Sequence, residues 1–356
     1  MKYNFNTLAS SPEVFSVKGI INMFNYSADF PFHRGRRLRK NSWIRDLVTE
    51  NYVSVNDLIW PIFVVEGENK IEPINELPGI NRYSIDNLLD IAKSAFELGI
   101  KCVALFPYTP SNLKSEECEE AYNPDNLVNK ATRLLKKEIP NLGVMLDVAL
   151  DPYNSLGHDG LVKGNKILND ETLEVLVKQS LVQAESGADI LGPSDMMDGR
   201  VKLIRENLEK NNFKDTIILS YSAKFSSGFY GPFRAAIGSS GNLKGDKKSY
   251  QLNYLNHKEA LKDVALDLKE GADMVMVKPG MPYLDLCRQI CDTFNVPTFA
   301  YQVSGEYAMI SNCIKNGTFD KNQILIETIS CFKRAGCNGV LTYFAYEIAK
   351  ILNAKN

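Results

Sequence analysis

The chain alternates short apolar segments with longer segments in which apolar residues recur every three or four positions. Apolar, β-branched stretches of strand length occur eight times, at 58–65, 101–106, 143–150, 188–192, 216–221, 272–277, 296–303 and 338–344. Helical spacing lies between them, notably at 84–98, 124–138, 170–186, 256–270, 281–294, 305–316 and 320–335. Continuously apolar strands that alternate with helices are typical of a parallel sheet buried on both faces. The pattern therefore predicts an α/β fold, the (β/α)8 TIM barrel.

The ends of the predicted helices carry residues that commonly start or stop a helix. Ser84 and Asn169 stand where two of them begin, and their short side chains offer oxygen atoms to the free backbone N–H groups. Glycine commonly ends a helix because it adopts a left-handed conformation without strain. It follows four of the predicted helices, at Gly99, Gly187, Gly271 and Gly336.

Before the first predicted strand the chain loses this regularity. Residues 1–33 are polar and aromatic without a steady period, and a basic run, RGRRLRK, follows at 34–40. Such a run is compatible with a nucleic-acid contact, but a single short cluster is more typical of a solvated or subunit-contacting arm. We therefore predict an N-terminal arm over 1–40 and a single barrel domain over 41–356.

The amino-acid composition indicates the cellular compartment and the kinds of partner to expect. Of the 356 residues, 44% are hydrophobic and 24% are charged, and the net charge of −2 gives no attraction to nucleic acid or membranes. The seven cysteines form no CxxC pair, and their number is odd, which fits a reducing compartment. No apolar run reaches the roughly 18 residues of a membrane span, and no secretory leader pattern is present. The sequence predicts a cytoplasmic protein without nucleic-acid or membrane partners.

Polar side chains follow six of the predicted strands. In a (β/α)8 barrel the carboxyl ends of the strands form the active site, so side chains at those positions converge. They are Asp147, Asp151, Ser194, Asp195, Lys224, Lys278, Ser304 and Tyr343. Any one of them is compatible with a hydrogen-bonded core residue, but the whole set indicates a polar site at one end of the barrel.

Two of these residues are lysines that follow apolar strands directly, in the segments YSAK and MVKPG. Burial and a second nearby cation both disfavour an ammonium group, so Lys224 and Lys278 are candidates for a lowered pKa. A neutral lysine amine attacks ketones and aldehydes to form a Schiff base. Two such lysines in one barrel indicate two carbonyl substrates held side by side.

The chain resembles the 5-aminolevulinate dehydratase family, also called porphobilinogen synthase, whose members condense two molecules of 5-aminolevulinate into a pyrrole for haem and other tetrapyrroles. The resemblance extends from residue 34 to about 348. Matching segments include RGRRLRK, LPGINRYS, DVALDPY, GPSDMMDGR, YSAKF, MVKPG, YQVSGEYAMI and LTYFA. It implies a lyase that acts through Schiff bases without an organic cofactor, and an assembly of eight identical subunits built from dimers that exchange arms.

The resemblance also implies roles for individual residues. Lys278 is similar to the Schiff-base lysine of the substrate that supplies the propionate side of the product, and Lys224 to that of the acetate side. Ser304 and Tyr343 match residues that bind one substrate carboxylate. The other carboxylate is bound in the family at positions that match Arg234, Lys247 and Gln251, where some relatives have arginine in place of Lys247.

A departure from some relatives concerns the metal. Zinc-dependent members carry three cysteines in the segment 147–159, where this chain has Ala149, Asp151 and Asp159. Thiolates select zinc, whereas carboxylates favour hard ions. The chain therefore resembles the zinc-free, magnesium-responsive subgroup, in which the two aspartates contact the amino end of the substrate and are candidates for general base catalysis. An allosteric Mg²⁺ of that subgroup is bound at a position that matches Asp263.

Two other interpretations stay open at this point. A different Schiff-base aldolase on the same barrel would need one lysine and a phosphate site, and a barrel without activity would act as a binding or assembly protein.

The glycine- and serine-rich residues 226–245 further predict a lid that closes over the site.

Overall fold

Eight parallel strands close into a barrel in the computed structural model, which describes residues 30–238, 243 and 245–354. The barrel strands are β1 (Leu58–Val64), β4 (Cys102–Pro107), β5 (Gly143–Val148), β8 (Ile190–Pro193), β9 (Ile217–Lys224), β10 (Met274–Lys278), β11 (Thr298–Gln302) and β12 (Gly339–Thr342). They neighbour one another in that order. The ring closes where β12 pairs with β1, with Val340 opposite Leu58. The predicted (β/α)8 TIM barrel is confirmed.

Helices follow the barrel strands along the chain. They are α2 (Ile85–Glu97), α3 (Leu127–Glu138), α4 (Asn169–Glu185), α5 (Arg200–Lys210), α6 (Gly231–Ala236), α7 (His257–Glu270), α8 (Leu284–Phe294), α9 (Ser304–Lys315), α10 (Lys321–Arg334) and α11 (Ala345–Asn353). Helices α5, α6 and α11 are additions to the predicted set. Two short antiparallel hairpins are also additions, β2 (Ile71–Pro73) with β3 (Asn81–Tyr83), and β6 (Leu161–Lys163) with β7 (Lys166–Leu168).

The predicted helix ends agree with the structure better than the predicted starts. All four predicted glycines have positive φ angles, of +92° at Gly99, +96° at Gly187, +107° at Gly271 and +97° at Gly336. The expected cap at Ser84 is wrong, because its hydroxyl accepts a hydrogen bond from the Lys70 N–H at 2.8 Å instead of capping α2.

The chain divides into two compact units, residues 1–50 and 51–356. In the first unit the structure describes residues 30–50, with a 3-10 helix at Gly35–Arg39 and the helix α1 (Ser42–Leu47). Most of the predicted arm, residues 1–29, lies outside the described residues. Among the helices that are described, none combines the length and the apolar character needed to cross a membrane.

An aromatic layer fills the barrel below the carboxyl ends of its strands. Phe63 of β1 lies with its ring centre 6.0 Å from that of Phe106 and 5.9 Å from that of Tyr343. Tyr221 and Tyr301, from β9 and β11, are the largest of the fully buried side chains, with ring centres 6.4 Å apart. Tightly packed rings exclude water and lower the local dielectric response. Polar groups directly above this layer therefore interact strongly.

Candidate active site

Two lysines end neighbouring strands of the barrel in the same register. Strands β9 and β10 run parallel, and Lys224 lies opposite Lys278 as the last residue of each. A shift in register between Val275 and Val277 precedes this pairing. Both side chains are buried. The two amines are thus held at the carboxyl end of the barrel, where the sequence predicted them.

Aromatic rings surround the Lys278 amine. Its Nζ atom lies 4.8 to 5.4 Å from the ring centres of Tyr301, Tyr221, Phe233 and Tyr230. Within the described part of the chain it has no hydrogen bond and no ion pair. Burial, followed by the charge of Lys224, lowers the pKa of Lys278 to about 7. Near neutral pH a large fraction of this side chain is therefore the neutral, nucleophilic amine.

The Lys224 amine, in contrast to that of Lys278, has polar partners. Its Nζ atom donates to Oδ1 of Asp159 at 2.9 Å and to the carbonyl oxygen of Ser194. The two lysines thus differ although they lie side by side: one has a carboxylate partner and the other has aromatic faces.

Asp159 is the charge centre of the site. Its other oxygen, Oδ2, lies 2.6 Å from Nζ of Lys247 and accepts a hydrogen bond from the Tyr250 hydroxyl at 2.9 Å. Burial opposes ionisation, but the charges of Lys224 and Lys247 outweigh it and hold the pKa of Asp159 below its ordinary value. In this state Asp159 orients cations rather than accepting a proton.

Two further carboxyl groups lie beside the lysines. Asp151 Oδ2 is 3.5 Å from Nζ of Lys247. Asp147, at the end of β5, is half-buried, and its buried Oδ1 atom has no hydrogen-bond partner among the described residues. Burial, together with the charge of Asp151, raises the pKa of Asp147 to about 6. Asp147 can therefore exchange a proton near neutral pH, as general acid–base catalysis requires.

A small cavity joins the lysines to the predicted carboxylate-binding residues. Its volume is about 30 Å³, and its lining comprises Asp151, Lys224, Tyr230, Phe233, Arg234, Lys247, Gln251 and Lys278. Ligand pockets are typically much larger, at about 300 to 1,000 Å³. The side chains, including the Lys247–Asp159 ion pair, fill the site in this state. A ligand must displace them to enter.

Ser304 and Tyr343 lie next to this cavity without lining it. The Ser304 hydroxyl accepts a hydrogen bond from the Phe233 N–H at 3.1 Å and donates to the carbonyl oxygen of Phe229 at 3.3 Å. The Tyr343 hydroxyl is 2.9 Å from that of Tyr301, whose ring faces Lys278. Both residues are one side chain away from the lysine amine.

Helix α6, which carries Phe233 and Arg234, is held at its carboxyl end by cations. Arg82 donates to the carbonyl oxygens of Ala235 and Ala236 at 2.6 and 2.8 Å, and Lys114 donates to that of Gly238 at 2.9 Å. Cations stabilise the negative end of a helix dipole. The predicted lid, 226–245, includes α6, but its residues 239–242 and 244 lie outside the described residues.

Asp263, the predicted magnesium ligand, lies on α7 away from the lysines. Burial, together with the charge of Asp267, raises its pKa to about 6. Asp267 itself accepts hydrogen bonds from Arg200 and Ser220. Within the residues described, no three His, Cys, Asp or Glu side chains are placed to hold a metal ion together. The donor set is thus a single free carboxylate, which fits Mg²⁺ only as an ion that keeps most of its waters.

The aromatic surroundings of Lys278 were not predicted from the sequence. The sequence offered little indication of them because the four rings come from three separate segments, which are β9, residues 228–236 and β11. Only Tyr221 and Tyr301, in strands that end at predicted site residues, pointed toward them.

Comparison with known proteins agrees with this geometry. Residues 32–351 match the family described as delta-aminolevulinic acid dehydratase. A relative of that name from Bradyrhizobium diazoefficiens is 55% identical over 322 residues, which cover 90% of this chain and 91% of the relative. Another, from Rhodobacter capsulatus, is 52% identical over 325 residues, covering 91% and 98%.

A solved structure gives the same result in three dimensions. It is a crystal structure of delta-aminolevulinic acid dehydratase (porphobilinogen synthase) from Toxoplasma gondii ME49 in complex with the reaction product porphobilinogen. It matches with a TM-score of 0.88 at 46% sequence identity, over 89% of this chain and 91% of that chain. The chain belongs to the delta-aminolevulinic acid dehydratase family.

Proposed function

We propose that the protein is a porphobilinogen synthase, a lyase that condenses two molecules of 5-aminolevulinate into porphobilinogen with loss of two waters. The observation that carries the proposal is the pair of buried lysines, Lys224 and Lys278, opposite each other at the ends of β9 and β10. Each lysine forms a Schiff base with one substrate ketone, and each ketone oxygen leaves as water. Holding both ketones in one site removes the entropy cost of bringing them together.

Lys278 reacts as the neutral amine that its surroundings favour. It attacks the ketone carbon of the first substrate, and Asp147, with a pKa raised to about 6 by burial and by the charge of Asp151, exchanges the protons of the dehydration step. The second substrate, bound at Lys224, supplies the carbon nucleophile as an enamine. Formation of the C–C and C–N bonds releases both lysines from the ring.

The carboxylate of the second substrate competes with Asp159 for Lys247. Arg234, Lys247 and Gln251 line the cavity beside Lys224, so a carboxylate entering there draws Lys247 away from Asp159. Asp159 then loses one of the two cations that hold its pKa down. It becomes able to accept a proton from Lys224, which generates the second neutral amine. Ser304 and Tyr343 bind the carboxylate of the first substrate.

Removal of the first nucleophile tests the reaction. We expect Lys278→Ala to lower porphobilinogen formation by about 10³-fold or more, the scale seen when a covalent nucleophile is lost, while circular dichroism stays unchanged. Lys210→Ala, at an exposed lysine of α5, should keep full activity. A fully active Lys278→Ala protein would contradict the proposal, and a wild-type protein that is folded but inactive would favour the aldolase or binding-protein alternatives.

The unequal environments of the lysines predict a pH effect. Lys224→Met removes a positive charge that lowers the pKa of Lys278, so that pKa should rise. Because only the neutral amine reacts, the rate of acetylation of Lys278 by acetic anhydride should increase with pH through about 7 in the wild type and at higher pH in the variant. Mass spectrometry of the labelled peptide measures both curves. Coincident curves, with Lys210→Met as the control, would show that Lys224 does not act on Lys278.

We further propose that the protein belongs to the zinc-free subgroup and that Mg²⁺ binds at Asp263, away from the chemistry. The absence of cysteine from 147–159 and the pairing of Asp151 and Asp159 with Lys247 support this assignment. No step of the reaction passes through the ion.

Metal removal tests the magnesium proposal. We expect EDTA to lower activity, Mg²⁺ to restore it and Zn²⁺ to leave it low. Asp263→Asn should abolish the response to Mg²⁺, whereas Asp90→Asn, at an exposed position of α2, should keep it. Turnover that resists EDTA would contradict the requirement for an exchangeable metal.

The first unit supports a homo-oligomer, for which we propose the arm-exchanging octamer. Phe30, Phe32, Trp43 and Leu47 are 75%, 77%, 63% and 72% exposed, which suits residues that pack against another subunit. Arg37 donates to the carbonyl oxygen of Phe32 at 2.6 Å and so shapes this segment.

Replacement of the arm arginines tests the assembly. Arg36→Ala with Arg37→Ala should lower the particle mass measured by light scattering while the thermal unfolding of the barrel changes little. Lys202→Ala with Lys210→Ala removes the same charge from the exposed side of α5 and should leave the mass unchanged. An unchanged mass in the arginine variant would contradict the predicted role of the arm. The cytoplasmic location and the absence of nucleic-acid and membrane partners stay predictions.

A further inference from the structure

A buried carboxylate links the segments that follow two barrel strands. Glu306, on α9, is 3% exposed. Its Oε1 accepts a hydrogen bond from the Met281 N–H at 2.7 Å, and its Oε2 accepts from Val303 N–H at 2.8 Å and Gly280 N–H at 3.3 Å. In the described part of the chain no Lys, Arg or His lies within ion-pair distance of it. All three of these hydrogen bonds are from backbone N–H groups.

Helix capping accounts for only one of these bonds. A glutamate at the third position of a helix commonly accepts from the N-cap N–H, here that of Val303. Gly280 and Met281 belong to the turn that follows Lys278, on the neighbouring strand. Burying a carboxylate without a cation is unfavourable, and burial raises the pKa of Glu306 to about 7. A cap alone does not need a charge in this place.

The contact connects Lys278 to Ser304 by a short path. From Lys278 it passes through Pro279 to Gly280, crosses to Glu306, and returns through Gly305 to Ser304. Both glycines are needed for the close approach. A Cβ atom at Gly280 would lie 2.9 Å from the Tyr301 carbonyl oxygen, and one at Gly305 would lie 2.6 Å from that of Phe229.

The Lys278 end of this path is also fixed by hydrogen bonds. The carbonyl oxygen of Lys278 accepts from the Phe225 N–H at 2.9 Å and from the Tyr230 hydroxyl at 3.0 Å. Lys278 and Ser304 therefore lie on two strand ends that Glu306 joins directly.

We infer that Glu306 is a positioning residue that fixes the spacing between Lys278 and Ser304, and thereby makes Lys278 select keto acids over plain ketones. The inference rests on the proposed function, in which Lys278 holds the ketone carbon and Ser304 the carboxylate of one molecule. A substrate that bridges both groups gains from the second contact only when their spacing is right. A plain ketone makes the first contact alone and is indifferent to that spacing.

Two small probes separate these contributions. Levulinic acid has the carbon chain and carboxylate of 5-aminolevulinate without its amine, and 2-pentanone lacks the carboxylate. Reduction with cyanoborohydride traps the imine of either probe on Lys278, and mass spectrometry gives the trapping rate for each. The measured quantity is the ratio of the two rates.

In the wild type we expect levulinic acid to be trapped faster. Glu306→Gln keeps the size of the side chain but replaces one acceptor with a donor that faces a backbone N–H, so the ratio should fall about 10-fold or more, with trapping of 2-pentanone nearly unchanged. Glu206→Gln, at an exposed glutamate of α5, should keep the wild-type ratio. Glu306→Asp, which keeps the charge on a shorter side chain, gives the same comparison where the glutamine variant does not fold.

The outcomes distinguish the inference from the proposed function. A ratio that survives in Glu306→Gln, or an equal loss for both probes, overturns the inference, since equal loss is what general unfolding of the site would produce. A wild type that traps both probes equally overturns the carboxylate role of Ser304 and the inference with it.

Discussion

The juxtaposition of two buried amines on neighbouring strands is the constraint on which the rest of the site depends. Lys224 and Lys278 stand in register on β9 and β10, so two ammonium groups there would repel each other in a medium of low dielectric response. The repulsion is reduced because the two lysines have different surroundings. Asp159 contacts Lys224, whereas Lys278 faces aromatic rings and, with a pKa near 7, loses much of its charge. Nucleophilicity at Lys278 thus follows first from burial and then from the charge of Lys224 beside it.

The aromatic layer and the carboxyl groups then follow from that division. Rings beneath Lys278 exclude water, and although their faces attract a cation, burial and the charge of Lys224 outweigh that attraction and lower the pKa of Lys278. Among the described residues, the rings offer the amine no hydrogen-bond acceptor that would favour the ammonium form. The Tyr301 hydroxyl, which could have been such an acceptor, lies 2.9 Å from that of Tyr343. Acidic groups lie on the other side, where Asp159 contacts Lys224 and Lys247. The site is therefore divided into an apolar half, which lowers one pKa, and an ionic half, which holds charge.

The sequence was sufficient for the barrel and for the lysines because both depend on local signals. Apolar strands, glycines after helices and a lysine at a strand end are each visible within a few residues of one another. Helix α5 was not predicted although Val201, Ile204 and Leu208 are buried at helical spacing, since its other positions are mostly charged and the stretch between two strands is short. Ser84 was assigned to a cap from its position and its short hydroxyl side chain, but its hydroxyl instead accepts a hydrogen bond from the N–H of Lys70, 14 residues away.

The sequence could not show which strand ends, far apart along the chain, would contact one another. The rings around Lys278 are brought together by barrel closure, and the Asp159 contact with Lys224 joins residues 65 positions apart. Lys247 contacts the same carboxylate and also lines the cavity of about 30 Å³ beside the lysines. In the proposed reaction, the substrate carboxylate that binds Lys247 also frees Asp159, so ligand entry and rearrangement of the ion pairs are one event. Asp159 stays beside Lys224 in the proposed reaction, and the loss of Lys247 is what lets it accept the Lys224 proton when the second neutral amine is required.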